Sequence, residues 1–272
     1  MSGSLSILLI GCGNMGGAML ARWREKLIDS ISDFLVISPT NPAGGKENLD
    51  TQPLWYNDIE AFPASISPDI ILFAVKPQSL AEILPIYKNR FGEKPLYISI
   101  AAGKTVAFFA EHLGAEAKII RAMPNTPALV GKAMTALCAS ANVSSTQREI
   151  ATKLMEAIGS AIWVEEKYMD GITAISGSGP AYVFLFLETL VNAGVSVGLD
   201  AEVAKKLALA TLHGSIHLAE KSGETFEKLR QNVTSKGGTT EAALNVLMHE
   251  NALKNLLQEA VQAAVKRAGE LV

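Results

Sequence analysis

The chain has 272 residues, of which 49 % are apolar and 19 % charged, with a formal net charge of −3. That length allows two domains, and the composition suits a globular protein with a large core and a buried interface. The slight acidity argues against non-specific nucleic-acid binding, which needs a basic face.

The N-terminal MSGSLSILLIGCG has neither a basic n-region nor an apolar stretch long enough for a signal peptide. Two cysteines, Cys12 and Cys138, do not make a disulfide framework and fit a reducing, cytoplasmic compartment. Residues 5–10 (LSILLI) read as a buried strand. Gly11-Cys12-Gly13-Asn14-Met15-Gly16 follows, then an amphipathic run towards Trp23. Strand, glycine turn and helix come in the order a dinucleotide site needs. Gly11 permits the tight turn, Gly13 lets backbone approach a pyrophosphate, and Gly16 lets the helix pack on the strand. The pyrophosphate is expected on the free N–H groups at the helix N-terminus. The alternative is a glycine-rich turn without a ligand; position and context favour the dinucleotide. Cys12 lies near that helix end, which can lower a thiol's pKa; the plainer reading is a small residue that fits a tight loop.

Residues 34–37 read as a second strand, running into Ser38-Pro39-Thr40-Asn41. An NAD-type fold places a carboxylate near this strand end to bind the ribose 2′-hydroxyl. Here no acid would repel a 2′-phosphate, and Ser38, Thr40 and Asn41 can hydrogen-bond one. NADP is therefore favoured over NAD, and the alternative is a simple polar turn. Further strands are expected at residues 69–75, 96–100, 118–121, 133–139 and 161–164. Helices are expected from Ser79 towards Asn89, over 105–112 and over 145–158. The prolines of Met123-Pro124-Asn125-Thr126-Pro127 predict a rigid turn rather than a helix. Small residues after the strand at 96–100 leave room for a flat ring against backbone, at the carboxyl ends where open parallel sheets bind ligands.

The character changes near Glu165-Glu166, and beyond it no convincing strand is found. The expected division is residues 1–166 and 167–272. A helix from Ala181 to about Ser196 is apolar nearly all round, which predicts burial in a core or between subunits. Residues 181–199 also have the length of a membrane span, but Glu188, Asn192 and the missing basic flanks favour a helix buried in protein. Helices over 201–221 and from Asn251 onward complete an all-helical half. Within it, NVTSKGGTTE (residues 232–241) is a polar turn before an apolar helix over 242–248. Thr239 or Thr240 can cap that helix, and its free N–H groups can seat a carboxylate. His213 and His217 stand four apart, but two ligands without a third predict no metal site.

Six segments point to one family. GCGNMG at residues 11–16, AVKP at 74–77, IAAG at 100–103, RAMPNTPA at 121–128, SGSGPAY at 176–182 and GGTT at 237–240 follow in this order. Together they resemble the pyrroline-5-carboxylate reductases over almost the whole chain. One departure is Lys236, where the family usually has proline before the two glycines; it restores an N–H and a flexible φ to the loop. The resemblance implies an α/β chain with an N-terminal Rossmann-type domain and an all-helical domain that dimerises by intertwining, five dimers forming a decamer in some members. It implies reduction of 1-pyrroline-5-carboxylate to L-proline by NADPH or NADH, without nucleic acid or membrane. Carried over by motif position, the cofactor contacts are Gly11, Cys12, Gly13, Asn14, Met15, Gly16, Ser38, Asn57, Val75, Lys76 and Ala102. Substrate contacts are Glu166, Asn232, Gly237, Gly238, Thr239 and Thr240, with the Thr240 hydroxyl at the ring nitrogen as the catalytic group.

The chemistry suits these residues. Hydride transfer to an imine needs no metal and no covalent nucleophile; it needs two molecules aligned, a carboxylate held, and a donor at nitrogen. Two other classes stay open. A 3-hydroxyacid dehydrogenase carries a catalytic lysine on the first helix after the nucleotide domain, and that helix here has none. A non-catalytic NADP-binding sensor would not need the substrate-loop motifs.

Overall fold

The computed structural model describes residues 5–39 and 53–270. The chain divides into two compact units, residues 1–178 with 264–272, and residues 179–263.

The first unit is organised around β1 (Leu5–Ile10), whose inner residues are apolar on both faces, as a central parallel strand requires. It pairs in parallel with β2 (Ile31–Ile37) on one side and with β4 (Ile70–Phe73) on the other. With β3 (Leu54–Tyr56), β5 (Leu96–Ser99), β6 (Lys118–Met123), β7 (Ala133–Ala139) and β8 (Gly159–Trp163), the sheet has the order β3-β2-β1-β4-β5-β6-β7-β8. The chain order reverses between β1 and β4, the switch point where such sheets bind ligands. Among the described residues only the β6–β7 pair is antiparallel. Its connection, residues 124–132, is shorter than the dozen or so residues a parallel crossover needs.

Alternate residues of β1 feed two cores. Ile7 and Leu9 face the layer holding α1 (Asn14–Lys26) and α4 (Ser145–Glu156), with Met19, Trp23 and Leu154. Leu8 and Ile10 face the layer holding α2 (Leu80–Phe91) and α3 (Val106–Leu113), with Leu84, Tyr87 and Phe109. Trp23 is fully buried and its Nε1–H donates to the Leu154 carbonyl at 2.8 Å, tying α1 to α4. After β8 come α5 (Met169–Ile172) and a single π-helical stretch, Thr173–Gly177.

The turn expected at residues 123–127 is partly a correction. Residues Thr126–Val130 form a 3₁₀ helix, with a proline in its first turn. There the missing N–H would have no partner anyway. β2 begins at Ile31, earlier than expected, and β3 is a three-residue strand with too little pattern to read.

The second unit contains α6 (Gly179–Ser196), α7 (Ala201–Ser222), α8 (Phe226–Asn232), α9 (Thr239–Leu247) and most of α10 (Ala252–Gly269). Short, polar α8 was not expected from the sequence. Helices α6 and α7 approach through small residues: a Cβ on Gly194 would lie 3.1 Å from the Ala204 Cβ. Among this unit's residues only Ala204 and Ala208 are buried. α6 is not covered by the other helices of its unit, and Phe184 is 63 % and Leu185 60 % exposed. A core position for it is therefore excluded in a single copy of this unit.

Replacing Trp23 by Phe keeps the ring volume near α4 but leaves the buried Leu154 carbonyl without its donor. Urea unfolding should show a loss of roughly 1–3 kcal/mol, the cost of an unsatisfied buried acceptor.

Candidate active site

The glycine turn has a separate steric reason at each position. Gly11 has φ 86°, and a Cβ there would lie 2.8 Å from the Ala74 carbonyl oxygen of the neighbouring strand end. A Cβ on Gly16 would lie 2.5 Å from the Gly11 carbonyl oxygen. These two glycines let α1 close onto β1 and β4. Gly13 differs: it is exposed, and a Cβ there would meet nothing within 4 Å. Its missing side chain leaves open space in front of the helix N-terminus rather than relieving a contact.

That N-terminus suits an anion. Gly13 is the N-cap of α1, no side chain caps the helix, and its first turn has no acid. The first helical donor is Gly17 N–H, to Gly13 O at 2.8 Å. The preceding N–H groups therefore have no partner in their own helix and carry the positive end of its dipole. A dinucleotide pyrophosphate fits this cradle. Cys12 beside it is 5 % exposed, and burial pushes its thiol pKa up. The lowered pKa considered from the sequence is therefore not found; burial moves it the other way. Cys12 is a small packed residue.

The other cofactor candidates lie at adjoining carboxyl ends of the same sheet. Ser38 follows β2 and Asn57 follows β3, and these ends are joined. Ser38 N–H donates to Tyr56 O at 3.0 Å, and Trp55 Nε1–H to Ser38 O at 3.1 Å. Ser38 is buried and Asn57 exposed. Thr40 and Asn41 lie outside the described residues. Val75 and Lys76 follow β4, next to the glycine turn, and Ala102 follows β5 before α3. Five adjacent strands thus present every cofactor candidate at one end.

Glu166 lies in the same unit, just after β8. Its Oε1 accepts from the Val106 N–H at 2.7 Å and from Arg121 at 2.5 Å. Glu166 therefore joins the start of α3 to the middle of β6. Sequence reasoning did not single out Arg121; its signal was a cation in the interior of the strand KIIRAM, three residues after Lys118. Asn125 was passed over too. Its Oδ1 accepts from the Met134 N–H at 2.9 Å, and its Nδ2 donates to the Ser176 carbonyl at 3.1 Å. The RAMPNTPA and SGSGPAY motifs meet there. Gly177 packs beside this joint, where a Cβ would lie 2.6 Å from the Met123 methyl.

Asn232, Gly237, Gly238, Thr239 and Thr240 belong to the helical unit. Asn232 is the exposed last residue of α8. Gly238 is the N-cap of α9, with no side-chain cap hydrogen bond, and Thr239 and Thr240 are its first two residues. Neither threonine caps the helix, because both already lie inside its first turn. Gly237 N–H donates to Glu241 Oε2 at 2.7 Å, and Gly238 N–H to Ser235 O at 3.0 Å. Both glycine N–H groups are thus engaged, and the N–H groups of Thr239, Thr240 and Glu241 are the seat left for a carboxylate. The Thr240 hydroxyl has no hydrogen bond among the described residues. Glu241 was another omission; an acid in the third helical position is half of a capping box.

His217 pairs with Glu220 at 3.6 Å, and among the described residues no three His, Cys, Asp or Glu side chains gather as a metal site would need.

Comparison with known proteins identifies the family. The family described as pyrroline-5-carboxylate reductase dimerisation matches residues 166–271. The pyrroline-5-carboxylate reductase of Pseudomonas aeruginosa is 33 % identical, over 97 % of this chain and 96 % of that protein. That of Synechocystis is 37 % identical, over 98 % of both. The crystal structure of Plasmodium falciparum pyrroline carboxylate reductase with NADP bound aligns with a TM-score of 0.85 at 34 % identity, over 99 % of both chains.

The glycine geometry separates folding from binding. Gly13→Val should leave the unfolding midpoint nearly unchanged and weaken dinucleotide binding at least tenfold in a fluorescence titration. Gly16→Val should lower the midpoint and abolish binding together, because its side chain meets rigid backbone. Equal loss of stability in the two variants would contradict this assignment.

Proposed function

The chain belongs to the pyrroline-5-carboxylate reductase family, and from that premise we propose how its residues serve the reaction. As an oxidoreductase of this family it reduces 1-pyrroline-5-carboxylate to L-proline with NAD(P)H, the last step of proline biosynthesis. The bound nicotinamide supplies a hydride to the imine carbon. The chain's own residues bind, orient and donate.

Residues 1–166 hold the dinucleotide in this proposal. The N–H groups around Gly13 take the pyrophosphate, and Ser38 and Asn57 stand at the adenosine end. Val75, Lys76 and Ala102 line the nicotinamide end. The open space at Gly13, on an uncapped and acid-free helix end, is the observation that carries this reading. NADPH is the preferred cofactor, since no carboxylate stands at residues 38 and 39. Residues 167–272 form the substrate and dimerisation part. The N–H groups at the start of α9 hold the substrate carboxylate, and Asn232 and Glu166 shape the pocket. The Thr240 hydroxyl donates to the ring nitrogen, and its lack of an internal partner supports that role.

The active form is a homodimer, further assembled into decamers or not. Exposed Phe184, Leu185 and Phe186 on α6, and Leu207 on α7, support this. So much apolar surface is not left wet on a stable monomer. α6 with the turns before it is long and apolar enough to cross a membrane, but a second copy is the proposed cover. Buried, unpaired Cys12 and Cys138 agree with a cytoplasmic location.

The assay is NADPH oxidation with 1-pyrroline-5-carboxylate, alongside NADH and a panel of other imines and keto acids. Higher kcat/KM with NADPH is expected, and a clear NADH preference refutes the cofactor assignment. Thr240→Val keeps the shape and removes the donor. kcat and kcat/KM should fall together by about 10²-fold, with NADPH affinity held. The melting midpoint should stay near that of the parent, since Thr240 caps nothing. Unchanged turnover would remove Thr240 from the mechanism.

Light scattering at micromolar concentration should give a dimer or a multiple of it, in the absence of detergent. Leu185→Arg should reduce the mass or prevent folding, because an unpaired buried cation is strongly unfavourable. A monodisperse monomer, or a parent protein soluble only with detergent, would overturn the dimer.

A further inference from the structure

Arg121 occupies an unusual position for a cation. It sits in the middle of β6, paired with Ser99 of β5 on one side and Cys138 of β7 on the other. Its backbone is therefore held by both neighbours, and its side chain is only 7 % exposed. A guanidinium in such a place needs compensation. Cys138, opposite in the ladder, provides no charge: burial is the main cause that pushes its thiol up to about 11, so it stays neutral at pH 7. The Arg121 Nε is buried without a hydrogen-bond partner among the described residues. The carboxylate of Glu166 is the one anion joined to Arg121 there.

Glu166 uses a single oxygen for two donors. Oε1 takes the guanidinium and also the Val106 N–H at 2.7 Å. Val106 opens α3, whose own cap, Thr105, serves the Phe108 N–H at 3.1 Å. The two acceptors thus share the first turn of α3, where a carboxylate also meets the positive end of the helix dipole. Three separate stretches of chain converge on one oxygen atom: mid-β6, the start of α3, and the segment after β8. The residues immediately before Val106 are the 101–105 loop that carries Ala102. Glu166 Oε2 has no partner among the described residues, so the far side of the carboxylate stays available.

We infer that Arg121 is a positioning residue for the reductase site. It fixes the Glu166 carboxylate from inside the sheet. Through Oε1 it fixes the start of α3 and the loop of Ala102, so one buried cation sets both a cofactor contact and a substrate contact. The inference rests on the proposed roles of Glu166 and Ala102. Arginine is suited to this because its guanidinium stays charged when buried and reaches Oε1 through one nitrogen held on a planar group, whereas a buried lysine shifts its pKa readily and offers a mobile point charge.

The test uses the full-length enzyme with Arg121→Met, Arg121→Lys, Glu166→Gln and the Arg121→Met/Glu166→Gln pair. kcat/KM for 1-pyrroline-5-carboxylate, NADPH affinity and amide hydrogen exchange at Val106 are measured on each. Arg121→Met should lower kcat/KM by roughly 10²-fold, the scale of a misplacement of about 1 Å, and should speed Val106 exchange. Arg121→Lys should recover part of both. Glu166→Gln should likewise lower kcat/KM and speed Val106 exchange, and the pair should be no worse than the less active single variant, as residues acting through one another require. Additive losses in the pair, or a lowered melting midpoint with unchanged kcat/KM and Val106 exchange, would reduce Arg121–Glu166 to a structural ion pair and overturn the inference. If Arg121→Met does not fold, Arg121→Lys and Glu166→Gln decide alone: parental kcat/KM and Val106 exchange in both would overturn it. A parent enzyme that does not turn over the imine, with Val106 exchange still responding to Arg121→Lys, would instead refute the functional reading and leave the mechanical link intact.

Discussion

The close approach of Gly16 to the Gly11 carbonyl is the contact on which the nucleotide-binding unit depends. A Cβ at Gly16 would stand 2.5 Å from that oxygen, closer than any side chain can be placed. Because nothing stands there, α1 begins directly over the end of β1. β1 is held in parallel register with β2 and β4, so the start of α1 falls at the reversal of strand order. The strand ends carrying Ser38, Asn57, Val75 and Ala102 then follow from the sheet order alone. A substitution that pushed α1 outward would move the helix end away from all of them.

The helical unit is governed by a different constraint, the lack of a core. Buried apolar area is the main source of folding stability, at about 25 cal/mol per Å². Yet within residues 179–263 only two alanines are buried, and α6 and α7 leave phenylalanines and leucines in solvent. The small contact at Gly194 and Ala204 lets the two helix backbones come close, but it covers little area. The stability of this half must come largely from surface outside it. In the proposed dimer folding and association are one event, and concentration becomes part of its stability.

Much of this was legible in the sequence, and the exceptions have physical reasons. β1, the glycine turn and α1 were readable because hydrophobic pattern, turn chemistry and helix period all agree there. The strands from β4 to β8 were readable from short apolar runs, with ends a residue or two adrift. β3 has only three residues, and α8 has a mostly polar sequence, FEKLRQN, so neither has a period to detect. The burial expected of α6 is not seen, with Phe184 and Leu185 more than half exposed, since sequence shows an apolar helix but cannot say whose surface covers it. The thiol of Cys12 was placed near the right helix end, but the degree of burial that decides its pKa is a tertiary quantity. Arg121 is the most instructive omission. Beside Lys118 in KIIRAM it looks like one more strand cation facing water, and its partner lies 45 residues away.

The ends of the helices divide the labour between structure and ligand. α3 is served by Thr105 and Glu166, α4 by the reciprocal box of Ser144 and Gln147, and α7 by Asp200. In each case a side chain of the protein takes the donors that a helix start exposes. α1 and α9 have no side-chain cap, and both begin after a glycine N-cap. At α9 the Glu241 carboxylate has turned back to Gly237, which ties the loop down while Thr239 and Thr240 keep their N–H groups. An uncapped start is unfavourable in the isolated protein, since a cap is typically worth about 1 kcal/mol. It becomes favourable when an anionic ligand completes it. In the proposed function the pyrophosphate of the dinucleotide completes α1, and the carboxylate of the substrate completes α9. Leaving these helix starts open trades a small amount of free-state stability for differential binding. The capped starts of α3, α4 and α7 keep the frame fixed while that exchange takes place.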